Sequence, residues 1–163
     1  MKEKLQRKTP DGPEGTVWFG GPVDRFKITL RVFGDDLDPD RISSQLGCLP
    51  TSSERKGVPV PSARGARIPK RGRWFLSIES KNCNEDDDVE DGVRILLASL
   101  PSDKDLWDFL TKTYKVDIFC GLFLGAENQG FGISPDLSKL LADRNLEIGF
   151  DLYLDPAAKP PGS

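Results

Sequence analysis

The 163-residue sequence contains no histidine. This absence excludes Ser-His-Asp and Cys-His catalysis and every metal site that includes a histidine. It also removes the side chain that most readily exchanges protons near neutral pH. An enzyme built on this chain would therefore depend on paired carboxylates, a lysine or a bound cofactor.

Cysteine is also scarce, since Cys48, Cys83 and Cys120 are the three cysteines of the whole chain. An odd number does not complete a disulfide framework, and their wide spacing does not fit a CxxC metal knuckle. We expect two loop thiols and one core thiol. The sequence predicts neither a metal site nor a cofactor.

Long apolar segments are lacking as well. No run approaches the roughly 20 residues that span a bilayer, and the first 15 residues contain no hydrophobic segment typical of a secretion signal. We therefore expect a cytoplasmic protein without membrane contact. The 23 basic and 26 acidic residues give a net charge of -3, so that nucleic-acid binding would depend on a local basic patch.

The composition, with 37% hydrophobic and 30% charged residues, is typical of a soluble globular domain. Both ends of the chain are polar and rich in proline and glycine, with little to bury. The sequence predicts a flexible N-terminal segment over residues 1–22, one domain over 23–155 and a C-terminal tail over 156–163.

Four segments alternate apolar and polar residues with the period of two that is typical of half-buried strands. Because each strand has a single apolar face, we predict helices on one side of the sheet only. The apolar positions are Phe26, Ile28, Leu30 and Val32; Trp74, Leu76 and Ile78; Val116, Ile118, Cys120, Leu122 and Leu124; and Leu146, Ile148, Phe150, Leu152 and Leu154.

Helices are predicted between the strands. Asp38 and Ser134 each precede a proline, which places a capping side chain before a proline at the first helical position. Pro101 ends another helix, and Ser102 is predicted to cap the next. The apolar stripes are Ile42 and Leu46; Val89, Val93, Leu96, Leu97 and Leu100; Leu106, Phe109 and Leu110; and Leu137, Leu140 and Leu141.

The resulting order is β-α-β-αα-β-α-β. Two βαβ-like halves joined by a helix pair predict an α+β sandwich, in which a four-stranded sheet of the ferredoxin-like type carries its helices on one face.

Two charged stretches are candidate sites. The acidic run over residues 84–91 does not match a calcium loop, because Val89 occupies the third position when Gly92 is set at the sixth. We interpret this run as a solvated loop before a helix. The second stretch, residues 55–74, contains no acid and seven basic residues: Arg55, Lys56, Arg64, Arg67, Lys70, Arg71 and Arg73.

This basic loop also contains three prolines, which exclude a regular helix or a central strand and predict an extended connection. Its partner would be a nucleic-acid backbone or an acidic protein surface, including the chain's own acids at 85–91.

A second candidate surface lies on the sheet face opposite the core. It mixes cations with aromatic side chains, as protein interfaces do: Lys27, Arg31, Phe75, Phe119, Phe123 and Tyr153. Alternatively, Trp18 and Phe19 fold across this face and cover it.

Several motifs together carry a family resemblance. Leu46, Gly47, Pro50 and Thr51 form an LG-x-x-PT turn, Lys56 and Gly57 follow, and Trp74 opens a strand. With the closing stretch FGISPDLSKLLADRNLEIGFDLY, these motifs resemble a bacterial domain-of-unknown-function family, number 4279, over residues 25–155. The resemblance implies a small intracellular bacterial α+β domain and supplies no catalytic residues.

We therefore hypothesise a non-enzymatic protein-binding module, of an immunity or antitoxin type or a subunit of a bacterial defence complex. The alternative is a single-stranded nucleic-acid-binding domain that uses the basic loop and the sheet aromatics. The net charge and the lack of an RNP-like run argue against this alternative. A third hypothesis, an enzyme using carboxylates or a cofactor, requires a concave pocket with convergent polar groups.

Overall fold

A computed structural model describes residues 21–82, 87–125 and 129–154 of the chain. These residues form strands and helices in the following order: β1 (Gly21–Pro22), β2 (Arg25–Gly34), α1 (Pro39–Leu46), β3 (Ser52–Glu54), β4 (Gly72–Glu79), α2 (Val89–Ala98), α3 (Lys104–Thr113), β5 (Lys115–Leu124), β6 (Gln129–Gly130), α4 (Pro135–Ala142) and β7 (Glu147–Leu154).

The main sheet has five strands in the order β3-β4-β2-β5-β7. Strand β2 lies at its centre and pairs antiparallel with both β4 and β5. Strand β7 pairs parallel with β5 at one edge, whereas β3 pairs antiparallel with β4 at the other. The short strands β1 and β6 pair with each other in a separate ladder. All four predicted strands are present, in an α+β arrangement.

The predicted four-stranded, ferredoxin-like arrangement is wrong in detail. Only the second half, β5-α4-β7, joins two neighbouring parallel strands through a helix. In the first half, β2 and β4 are antiparallel neighbours, and α1 leads instead to β3 on the far side of β4. The alternation did not reveal β3, because its sequence Ser52-Ser53-Glu54 contains no apolar residue.

All four α-helices of the described residues pack on the apolar face of the sheet, and each contributes residues to the core. The predicted stripe of β2, from Phe26 to Val32, is at most 2% exposed and forms the centre of this core. The predicted caps are confirmed: Asp38 accepts a hydrogen bond from the Asp40 amide at 3.0 Å, and Ser134 accepts one from the Leu137 amide at 3.1 Å. Across the other face, no described helix covers the sheet.

The prediction for α3 is partly wrong. Its N-cap is Asp103 rather than Ser102, since the Asp103 carboxylate accepts a hydrogen bond from the Asp105 amide at 2.9 Å. Trp107 is fully buried and its indole donates to the Pro101 carbonyl at 2.8 Å, whereas Phe109 is 38% exposed. The bonded indole nitrogen allows tryptophan to take the core position.

The basic loop differs from a simple extended connection. After β3 it forms a small hairpin, closed by a bridge between Val60 and Arg67 and by a turn from Ser62 to Gly65. Gly65 has a φ of 105°, a conformation that glycine adopts without strain. The predicted coverage of the open sheet face by Trp18 and Phe19 lies outside the described residues, and so do Cys83 and the acids Glu85 and Asp86. Within the described part of the chain, no helix combines the length and hydrophobicity needed to span a bilayer.

Candidate binding surface on the open sheet face

A concave surface of about 510 Å³ lies on the sheet face opposite the helices. We call it the open-face pocket. It brings together all six residues predicted for the second candidate surface. Its lining consists of Lys27, Thr29, Arg31, Thr51, Ser52, Phe75, Ser77, Phe119, Gly121, Phe123 and Tyr153.

The concavity follows from the sizes of neighbouring side chains. Thr29 lies opposite Ser77 on one side and Phe119 on the other, and Gly121 lies opposite Lys27. The small residues form a floor, on which the Thr29 and Ser77 hydroxyls are 2.9 Å apart. A Cβ atom added at Gly121 would meet only ordinary contacts at 3.8 Å or more, so a side chain can begin at this position without a clash.

The cation Arg31 is fixed by Asp117 on the neighbouring strand. Its Nε lies 2.6 Å from one carboxylate oxygen and its terminal nitrogen 3.0 Å from the other, which is a bidentate pair. The Asp117 side chain is only 6% exposed. Arg31 also lies 4.2 Å from the ring centre of Phe119. Its guanidinium is therefore held rigidly at the pocket, with much of its charge compensated.

Lys27 is compensated in a similar way. Its ammonium lies 3.4 Å from the Glu79 carboxylate, which Lys81 approaches at 3.0 Å. Hydrogen bonds from Lys81 and Lys27 lower the pKa of Glu79, so the carboxylate is ionised at neutral pH. The pocket consequently presents hydrogen-bond donors without a large excess of positive charge.

An aromatic wall closes one end of the pocket. The rings of Phe123 and Tyr153 are stacked with their centres 5.1 Å apart, and the Arg25 guanidinium lies 4.0 Å from the Phe123 ring centre. The Tyr153 hydroxyl donates to Asp151 at 2.5 Å, and this hydrogen bond raises the pKa of Tyr153. The wall is thus fixed by contacts on both of its sides.

The predicted basic loop is largely paired with the chain's own acids. Arg55 contacts Asp38 and Asp40, at 2.7 and 2.6 Å, and Lys56 contacts Asp35 at 3.0 Å. These partners come from the turn before α1 and from the first turn of that helix, whereas the sequence suggested the acids at 85–91.

The Glu54 carboxylate on β3 accepts hydrogen bonds from both Arg67 and Arg73. Arg71 stacks at 4.1 Å on the ring of Phe33. Within the described part of the chain, Arg64 and Lys70 form no ion pair. Few of the loop's cations therefore remain available to a phosphate backbone.

The lining of the open-face pocket contains hydroxyl, aromatic and cationic side chains but no carboxylate and no thiol. Cys120 belongs to the core, where burial raises its pKa to about 12. Burial also raises the pKa of Cys48, which is not among the residues that line the pocket. Among the described residues, no group of three potential ligands could hold a metal ion. The open-face pocket therefore supplies the concavity that the enzyme hypothesis requires, and hydroxyl, aromatic and cationic side chains line it.

Thr29, Ser77 and Gly121 are lining residues that the sequence prediction did not select. The face on which they lie could be predicted, because each of them alternates with core residues of its own strand. Thr51 and Ser52 lie at the start of β3. Because β3 has no apolar residue, the sequence pattern did not place these two residues at the pocket.

One comparison with known proteins gave a match. The model of a family described as Domain of unknown function (DUF4279) matches residues 24–155, which is most of the chain. No curated protein and no solved structure matches the chain significantly.

Proposed function

The chain belongs to the DUF4279 family, and we propose that it is a protein-binding module whose docking surface is the open-face pocket. The observation that carries the proposal is the convergence of Phe75, Phe119, Phe123 and Tyr153 with a fixed Arg31 on a face that no described helix covers. Aromatic residues and arginine supply much of the binding energy at protein interfaces.

The polar groups define what the partner presents. The hydroxyls of Thr29 and Ser77 and the guanidinium of Arg31 suit a segment that offers hydrogen-bond acceptors. The surrounding rings suit an apolar or aromatic side chain inserted between them. Lys27 and Arg31 already have carboxylate partners. A polyanion therefore gains less binding free energy at this pocket than a neutral segment with apolar side chains does.

Affinity purification from the native host, read by mass spectrometry, tests the proposal. The baits are the wild type, Gly121→Arg, which fills the pocket without deleting a contact, and Ile95→Arg, a control at a 40% exposed position of α2. A stoichiometric protein recovered with the wild type and with Ile95→Arg, but lost with Gly121→Arg, is the expected result. A toxin-like partner would indicate an immunity role, and a set of defence proteins a subunit role.

Recovery of no stoichiometric protein under several growth conditions would count against the proposal.

Fluorescence anisotropy with labelled single-stranded DNA and RNA tests the nucleic-acid alternative. Phosphate contacts would give binding that weakens steeply with salt. Such binding, lost in Arg64→Ala/Lys70→Ala, would favour the alternative.

A further inference from the structure

Strand β7 forms one edge of the main sheet. It has eight residues, and its outer side pairs with no strand among the described residues. The opposite edge, β3, has only three residues. A long edge strand offers backbone N–H and C=O groups for pairing with an added strand.

Strand β7 lacks three features that commonly block such pairing, namely lysine, proline and a bulge, and its charged residues are the acids Glu147 and Asp151. Residues Glu147–Leu154 include no basic residue and no proline, and their register with β5 is continuous from Glu147 to Leu154. The edge is therefore regular enough to accept a partner strand along its length.

The two faces of this edge differ in chemistry. Glu147 and Asp151 lie on the open face, whereas Leu152 and Leu154 lie on the helix side and are 57% and 56% exposed. Opposite charges on neighbouring strands are stabilising, and apolar side chains pack best beside apolar ones. We propose that the outer edge of β7 binds an extended segment of a partner protein that alternates basic and apolar side chains.

A second copy of the chain is a poorer occupant. Antiparallel pairing of two β7 strands would place Glu147 and Asp151 of both copies on the same face, and like charges across strands are destabilising. A basic segment compensates these acids instead.

This inference rests on the proposed function and adds a binding mode to it. Tyr153 belongs both to β7 and to the pocket lining, so a strand added at β7 lies beside the pocket. The partner can therefore continue from the edge onto the open face.

The test uses the full chain and three fluorescein-labelled eight-residue peptides. One alternates Lys and Val, the second alternates Glu and Val, and the third is the Lys–Val peptide with alternate backbone nitrogens methylated. We expect anisotropy to show roughly tenfold or tighter binding of the Lys–Val peptide over the Glu–Val peptide. The methylated peptide should not bind, because its donors for strand pairing are removed.

Charge-reversal variants test whether the acids of β7 select the peptide. Glu147→Lys/Asp151→Lys should reverse the preference toward the Glu–Val peptide, whereas Asp36→Lys, at an exposed acid in the turn before α1, should leave it unchanged. Circular dichroism checks that both variants are folded. Equal binding of the three peptides, or a preference that survives the reversal, would overturn the proposal.

Two further results separate the possible failures. Self-association that sedimentation detects in the wild type and not in the reversed variant would identify a second copy as the occupant and overturn the inference. Loss of the native partner in Gly121→Arg, with no loss in the reversed variant, would refute the edge site and leave the proposed function standing.

Discussion

Arg31 and Asp117 are 86 positions apart in the sequence and form a bidentate pair on the open face. Neither residue is distinctive in the sequence, where each is one charge among many on a polar strand face. The alternation of side chains along β2 predicted the face on which Arg31 lies. The carboxylate that pairs with Arg31 depends on the register between β2 and β5. Sequence reasoning could therefore select the cation and not the carboxylate that fixes it.

The Arg31→Ala variant should be strongly destabilised. It leaves the Asp117 carboxylate, with a 6% exposed side chain, without its counter-charge. Breaking a buried ion pair in this way costs about 3 kcal/mol of unfolding free energy. Urea denaturation measures the change. The matched control is Arg25→Ala on the same strand and face, where the contact is a ring stack on Phe123. It should cost less than about 1 kcal/mol, and equal losses in the two variants would contradict the assignment.

At the scale of elements, Glu90 connects two helices. Its carboxylate, on the first turn of α2, accepts hydrogen bonds at 2.7 Å from both the amide and the hydroxyl of Ser134, the N-cap of α4. Arg94 donates to the same carboxylate at 2.7 Å. Burial acts to raise the pKa of Glu90, but the hydrogen bonds from Ser134 and Arg94 outweigh it, so that the pKa is lowered from 4.5.

This lowered pKa predicts a pH-dependent contribution to stability. The ionised carboxylate is favoured in the folded state, so its contribution is complete above pH 4.5 and is lost as the pH falls through the lower folded-state pKa. At pH 7 the Glu90→Gln variant should be less stable than the wild type by about 2 kcal/mol. Denaturation at a series of pH values should show this difference shrinking in acid.

Glu147→Gln, at an exposed carboxyl of β7, is the control and should lower the unfolding free energy at pH 7 much less than Glu90→Gln does. A Glu90→Gln difference that persists unchanged in strong acid would contradict the role of the ionised carboxylate.

Gly72 allows the start of β4 to approach the end of β2. A Cβ atom added there would lie 2.9 Å from the Gly34 carbonyl oxygen and 2.9 Å from the Leu37 Cβ. Because the backbone of β2 cannot move away without breaking the ladder, Gly72→Ala should lower the unfolding free energy by about 1–3 kcal/mol. Thermal and urea unfolding measure the change.

The matched variant Gly149→Ala, on β7, meets nothing within 4 Å. It should be neutral or slightly stabilising. Comparable destabilisation by both alanines would show that close approach at Gly72 is not the cause.

The elements that could be predicted are those whose burial leaves a periodic pattern. The stripe from Phe26 to Val32 and the caps Asp38 and Ser134 depend on local sequence, and they are confirmed. Strand β3 has no apolar side chain to give a pattern. Because α1 leads to β3 on the far side of β4, the sequence did not show that β2 and β4 are antiparallel neighbours. Topology was consequently less predictable than the individual strands.

At the scale of the whole molecule, the distribution of charge separates the two candidate surfaces. The basic loop is prominent in the sequence, yet Arg55, Lys56, Arg67 and Arg73 have carboxylate partners in the fold. The open face is inconspicuous in the sequence, yet its residues from four strands meet at one concavity with the edge residue Ser52 of β3. The alternation of apolar and polar residues predicted the six residues of that face. The depth of the pocket depends on small residues at neighbouring positions of the paired strands, which the alternation does not show.

Hydroxyl-radical footprinting of the purified complex tests the central claim, that the open face is the docking surface, most directly. Oxidation of Phe75, Phe119, Phe123 and Tyr153 should fall on partner binding, because these side chains line the pocket. Phe109, which is 38% exposed on α3, should be oxidised equally in the free and bound states. Protection of Phe109 with unchanged oxidation of the four pocket rings would contradict the account.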